Sequence, residues 1–505
     1  MTAGVPTGSA ARLATLTPEQ RDLLRARLRD RALRTPTRLT PGQERLWRAH
    51  RTAAGRPVDV VCQAVRLTGA PVDLDLLAER VQGFVRAHES LRTTFTIEKD
   101  GSREDGSQED GFREDGFRED GGAVRPVVHE DLPPRLVRTR CPGGPEQAHA
   151  LARELAYEPF DLAEGPFLRV VLAEGASEEE AWLLVVVHNL VFDAWSFELL
   201  LDELARDPAV PAPATRPFGR FALAQAESTA GPRGREAARF WAAELADAPP
   251  PLATDRARGL TSPGTGGRVD LTLSGTVARG VAEAARGSAA TAYAGWAAVV
   301  WATLAEFSGV PDVLLGTFTA NRDGPDAQQT VGYLLNVLPL RLRDPGDGTW
   351  GARIRAAHTA STRGLRYASY PAELIAAERR LPGLHPLFDV AFVFDSPTEG
   401  SRTMPSSVVP ARSAVVSPYD VDKGVARYGL TLSVHPAPEG ASGWIEYDTG
   451  LYDRSTVERL ADRFTALAAQ ASGTAGQVSG TAGRASGAAG RASGAAGRAS
   501  REAGQ

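Results

Sequence analysis

The chain has 505 residues, 42% hydrophobic and 24% charged, with a net charge of −5. That length and balance suit a soluble globular protein, either several ordinary domains or one large two-lobed unit. The slight acidity argues against a nucleic-acid surface. The two cysteines, Cys62 and Cys141, supply neither a disulfide framework nor a clustered metal site, so no metal is expected and the reducing cytoplasm is the expected compartment. Residues 1–15 lack the apolar run of a signal peptide, and no stretch of about 18 apolar residues reads as a membrane span.

Residues 17–33 (TPEQRDLLRARLRDRAL) predict an amphipathic helix within an N-terminal extension, residues 1–35. Thr17 caps it, Pro18 and Glu19 suit its first turn, and Leu23, Leu24 and Leu28 give the apolar spacing. A helical pattern from Val72 to Val85 is followed by a β-like stretch, Thr93 to Ile97. A five-residue repeat then runs from Asp100 to Glu119, and Val124 to His129 is strand-like again. This reads as a β-hairpin whose turn, 100–122, is a disordered acidic loop; its period fits no known calcium loop.

The apolar run Trp182 to Phe192 predicts a buried central strand, and Ser196 to Ala205 a helix. Residues 206–217 are proline-rich and read as a linker. Helical patterns follow at 234–247 and 277–307, and a last one at 455–470. Strands are expected at Val313 to Phe318, Leu334 to Leu342, Val390 to Phe394 and Leu430 to Val434. From Ala471 to Gln505 the chain is Ala, Gly, Ser and Arg with a seven-residue repeat, and reads as a flexible tail.

The stretch His188-Asn189-Leu190-Val191-Phe192-Asp193-Ala194-Trp195-Ser196 ends the apolar strand and opens a helix, which presents its polar groups to a cleft. It resembles the condensation-domain signature HHxxxDG of the non-ribosomal peptide synthetase superfamily. Other stretches resemble that family in the right order. Thr40 to Trp47 (TPGQERLW) is similar to its opening motif, and Arg86 to Phe95 (RAHESLRTTF) to its RHExLRTxF motif. Glu158-Pro159-Phe160-Asp161-Leu162 with Gly165, Pro166 and Arg169 is similar to the segment before the histidine motif. Phe240-Trp241 and Asp255-Arg256 resemble the entry to the second lobe. Gly316 to Arg322 (GTFTANR), Val331 to Pro339 (VGYLLNVLP) and His385 to Val390 resemble later motifs. The resemblance spans about residues 36–470.

It implies two chloramphenicol-acetyltransferase-like α/β lobes in a V-shaped pseudo-dimer, 36–205 and 218–470, each a mixed sheet with flanking helices. His188 and Asn189 are then the candidate catalytic residues, in a tunnel between the lobes. Asp193, Trp195 and Arg322 are the candidate structural residues, with Asp193 and Arg322 paired across the lobes. The family's histidine stands at the position of Asn189, its glycine at Ala194, and its late HQDxPFE-like motif reads Tyr367 to Glu373 (YASYPAE). A carboxamide can donate and accept hydrogen bonds but is not a useful base. Positioning of two substrates survives such a change.

The resemblance implies an acyltransferase that joins a carrier-bound acyl or aminoacyl thioester to an amine or alcohol in secondary-metabolite biosynthesis. The alternative it leaves open is a catalytically silent fold that binds carriers or recruits another protein. No carrier serine motif or adenylation core is recognised, so the chain reads as a stand-alone unit without a cofactor of its own. Its substrates are expected on the phosphopantetheine of separate carrier proteins, or as a small amine or alcohol acceptor. Neither nucleic acid nor membrane is an expected partner. A plant-type acyltransferase also uses HxxxD, but its DFGWG-like motif is absent.

Overall fold

The structure is a computed structural model, and it describes residues 17, 38–53, 55–69, 71–99, 118–119, 122–206, 215–257, 264–379, 387–394, 402–403, 415–437 and 439–473. The expected N-terminal helix, most of the acidic repeat, most of the linker and nearly all of the tail lie outside these residues, as do His385 and Pro386.

The first half contains α1 (Pro41–Thr52), β1 (Val60–Thr68), α2 (Leu74–Ala87), β2 (Thr93–Lys99), β3 (Arg118–Glu119), β4 (Gly122–Val128), β5 (Arg135–Arg140), α3 (Gly144–Tyr157), β6 (Leu168–Glu174), β7 (Glu180–His188) and α4 (Ala194–Leu204). The second half begins with α5 (Phe218–Ala230), α6 (Pro232–Glu244), β8 (Gly266–Ser274), α7 (Gly275–Gly287), α8 (Ala292–Ser308), β9 (Val313–Thr319), α9 (Pro325–Gln328) and β10 (Asn336–Leu342). It ends with α10 (Trp350–Leu365), α11 (Ala372–Arg379), β11 (Val390–Phe394), β12 (Arg402–Thr403), β13 (Val415–Asp420), β14 (Leu430–Ala437), β15 (Gly440–Asp448) and α12 (Arg454–Ala471).

Two mixed six-stranded sheets result, ordered β12-β13-β1-β7-β6-β5 and β10-β9-β11-β14-β15-β8. Each carries its own core. In the first, every residue of β7 is buried, which is why its sequence is continuously apolar rather than alternating. In the second, α8 is buried on nearly all sides and packs on α10 and α12. The hairpin expected around the acidic repeat forms: β2 pairs antiparallel with β4, Thr93 opposite Val128 through Lys99 opposite Gly122. The two residues of β3, within the segment read as loop, add a third strand to it.

Two features depart from the local reading. The pattern at 277–307 is two helices, broken after Gly287, with Ala289 at φ +53°. More consequentially, residues 218–470 are not confined to the second lobe. Strands β12 and β13 join the first sheet, and β13 pairs antiparallel with β1 from Gln63 opposite Asp420 to Thr68 opposite Val415. An unpaired strand edge has a row of unmet hydrogen-bonding groups, and β13 satisfies that of β1 regardless of its distance along the chain. The first core likewise takes Val331, Tyr333 and Val421 from the second half. Among the described residues, no helix is long and apolar enough to cross a membrane.

Candidate functional site

His188 ends β7 opposite Val60 of β1. A short 3₁₀ turn, Asn189–Val191, follows, and Asp193 then caps α4 by accepting from the Ser196 N–H at 2.8 Å. The chain therefore turns sharply at the lobe boundary, and successive side chains of the motif face different surroundings.

His188 is buried among Phe160, Phe167 and His50. Its Nδ1 accepts from the Leu190 N–H at 3.1 Å. The proton of a neutral ring then sits on Nε2, which lies 3.1 Å from His50 Nδ1 and donates to it. His50 in turn bonds the backbone of Phe160. Burial, and then the neighbouring His50, push the His188 imidazole down to about 3, and burial lowers His50 as well. Both rings are thus neutral members of a closed hydrogen-bond chain. They line a cavity of about 160 Å³ within the first lobe. His188 does not share the larger cavity that Asn189 lines, so the two adjacent candidates face different spaces.

Asn189 is fixed by its main chain, its N–H donating to the Asp59 carbonyl at 2.9 Å. The residue lines a cavity of about 400 Å³ between the lobes, walled by Val60, Val61 and Gln63 of β1 and by Lys423, Arg427 and Tyr428 from the second half. Its Oδ1 is buried without a hydrogen-bond partner. A buried acceptor of this kind is costly unless something donates to it.

Asp193 has no such freedom. Its Oδ1 accepts from Ser196 N and Oγ, both at 2.8 Å, and from Arg322 Nη2 at 2.7 Å. Its Oδ2 accepts from the same Arg322 nitrogen at 2.8 Å and from the N–H groups of Leu334 and Leu335 at 3.1 and 3.3 Å. The ion pair is almost completely buried and spans 129 residues of sequence. Trp195 stands over the Arg322 guanidinium at 5.6 Å, and its Nε1 donates to the Gln328 carbonyl at 3.0 Å. Through these bonds Asp193 and Trp195 join the start of α4 to Arg322, Gln328, Leu334 and Leu335 of the second half.

Sequence reasoning passed over a second cross-lobe network. Asp59 pairs with Arg427, and Arg45 bonds Glu373 at 3.1 Å and the Tyr333 hydroxyl at 3.0 Å. Burial opposes the Asp59 charge, but the cations Arg427 and Arg45, with Lys423, hold its carboxyl below the usual range. Burial pushes the Tyr428 hydroxyl up to about 12. Arg45, Tyr333 and Glu373 fall in stretches that resemble family motifs, but nothing in the sequence joins them, and nothing local marks Asp59 or Arg427.

A family model described as "Condensation domain" matches residues 107–481. The chain belongs to the condensation-domain family. Phosphinothricin tripeptide synthetase PhsC of Streptomyces viridochromogenes is 28% identical over 489 residues, covering 90% of this chain and 42% of that protein. A linear gramicidin synthase of Brevibacillus parabrevis is 28% identical over 451 residues, 85% of this chain and 8% of that protein. The chain therefore spans less than half the length of these curated relatives. Among solved structures, the X-domain from teicoplanin biosynthesis superposes with a TM-score of 0.72 at 22% identity, over 88% of this chain and 96% of that one. SgcC5 from Streptomyces globisporus gives 0.69 at 21% identity, over 86% and 98%. The fold is accordingly the two-lobed, chloramphenicol-acetyltransferase-like fold of condensation domains.

Proposed function

We propose that the protein is a condensation-type acyltransferase that joins a carrier-bound acyl or aminoacyl thioester to an amine or alcohol in non-ribosomal peptide or related biosynthesis. The observation that carries this reading is Asn189, which lines the inter-lobe cavity and whose buried Oδ1 is left without a hydrogen-bond partner. Rotation of the carboxamide toward the cavity would offer its Oδ1 to an incoming amine or hydroxyl, which is thereby oriented toward a thioester. Asn189 acts by positioning, which can account for several kcal/mol of a barrier, on the order of 7–11 for ideally held reactants. The substrates are taken to arrive on the phosphopantetheine arms of carrier proteins, or, for the acceptor, as a free small molecule. The peptide synthetases among the relatives support that class.

One observation favours a second reading, a catalytically silent fold that binds carriers or recruits a partner. The His188 and His50 rings are engaged with each other and with backbone groups, so neither offers the cavity a free basic nitrogen. The X-domain neighbour, solved in a complex with OxyB, gives that reading a precedent in the same fold.

A single-turnover assay on loaded carriers, with wild type, Asn189→Ala and Asn189→His, separates the two. The acyltransferase reading expects amide or ester product from wild type and a lower rate constant for Asn189→Ala. Turnover unaffected by Asn189→Ala removes that residue from the chemistry. Absence of product from wild type, with carrier binding equal in wild type and Asn189→Ala, supports the scaffold.

A further inference from the structure

Both polar groups of the Leu190 backbone are held by α1. The Gln43 side-chain amide donates to the Leu190 carbonyl at 2.8 Å. The Leu190 N–H donates to His188 Nδ1 at 3.1 Å, and His188 Nε2 donates in turn to His50 Nδ1 at 3.1 Å. Gln43 and His50 are seven residues apart in α1, about two helical turns, so one face of the helix makes both attachments. The preceding residue is held as well. The Asn189 N–H donates to the Asp59 carbonyl at 2.9 Å, and its carbonyl accepts from the Phe192 N–H at 3.3 Å. The main chain of the 3₁₀ turn is thus fixed at Asn189 and Leu190, and only side-chain torsions remain to direct the Asn189 carboxamide. His50 lines the first-lobe cavity, whereas Asn189 lines the inter-lobe one, so the influence of His50 on Asn189 passes through His188.

We infer that His50 is a positioning residue of the acyl transfer proposed above, holding through His188 the turn that carries Asn189. The inference rests on that reading of the function. The Leu190 N–H can only donate, so His188 Nδ1 accepts and the proton of the neutral ring sits on Nε2. His50 Nδ1 is the acceptor that receives it. A buried donor stripped of its acceptor is costly. Without His50, the His188 ring escapes that cost by swinging away or by moving its proton to Nδ1. Either response releases the Leu190 N–H, because a protonated Nδ1 would face it donor to donor. The turn then loses its cap, and Asn189, one residue before Leu190, shifts with it. His50 thereby selects the His188 tautomer, and the tautomer holds the turn.

The test uses the full chain, aminoacyl N-acetylcysteamine thioesters and loaded carriers as donors, and leucinamide as acceptor, with amide formation followed by mass spectrometry. His50→Phe keeps a ring but removes the acceptor. His50→Asn restores an acceptor, its Oδ1 standing two bonds from Cβ as Nδ1 does. The expected result is a loss of about 10²-fold in the single-turnover rate constant for His50→Phe, the scale of a misplacement of about 1 Å far from the chemistry. His50→Asn should recover most of that rate. In an Asn189→Ala background His50→Phe should cost little further, because no carboxamide is left to misplace. The KM for the thioester should stay close to wild type, since the inter-lobe cavity keeps its lining. Thermal unfolding checks that each variant is folded, and where His50→Phe is not, His50→Ala carries the same comparison. A His50→Phe rate equal to that of an active wild type overturns the inference and leaves the acyltransferase reading standing. So does an equal loss in the wild-type and Asn189→Ala backgrounds, or a His50→Asn rate no better than that of His50→Phe. No product from wild type with any donor overturns both.

Discussion

Asp193→Ala removes the carboxylate that five donors converge on. Arg322 would remain with its guanidinium almost wholly buried and its charge uncompensated. Burial already pushes that guanidinium down from its usual range, with Asp193 opposing the shift. Breaking a buried pair from one side costs roughly 3–5 kcal/mol. The same truncation orphans the N–H groups of Leu334 and Leu335 and removes the cap of α4. An orphaned buried donor costs about 1–3 kcal/mol and a lost cap about 1 kcal/mol. These costs share one carboxylate and do not add in full, so the expected total is about 4–6 kcal/mol. Against a total stability of about 5–15 kcal/mol, that is enough to lower soluble yield. Urea unfolding of wild type, Asp193→Ala and Asp193→Asn measures it, the last retaining a capping oxygen without the charge. The double variant Asp193→Leu with Arg322→Met should recover much of the loss, because it leaves no buried charge. A midpoint for Asp193→Ala equal to wild type would refute the reasoning.

The remaining predictions concern the neutral histidines and a packing contact. The His188 pKa is lowered by folding, so the unfolded chain binds the extra proton. The contribution is fully present above about pH 6.5 and is lost as pH falls from there toward about 3. Between pH 7.5 and 5.5, His188 alone should cost about 1.4 kcal/mol of unfolding free energy, and His188→Gln should lose that part of the pH slope; an identical slope in the two proteins would contradict the buried neutral ring. Gly316, in the GTFTANR stretch, has room for no side chain, since a Cβ there would sit 2.0 Å from the Phe388 ring. Gly316→Ala should destabilise by about 1–3 kcal/mol, read as a shift in urea midpoint at constant slope.

The sequence by itself determined the features set by neighbours along the chain. The continuous apolar run of β7, the helix that follows it and β11 at Val390–Phe394 were legible because periodicity acts within a few residues. The ordered motifs carried the two-lobed fold and the pairing partners Asp193 and Arg322, though only the tertiary structure shows the bonds. What the tertiary structure alone decided is set by distant segments. His50 meets His188 from 138 residues away, Arg427 meets Asp59 from 368, and Lys423 reaches Val60 from 363. Local sequence carries no record of these meetings, because they follow from which strand edge β13 completes and how the lobes close on one another. The same holds for the division between His188 and Asn189. Adjacent in sequence, they face different cavities because the strand ends between them. Side-chain direction there is set by the 3₁₀ turn and by the Asp59 and Leu190 backbone bonds, none of which a motif records.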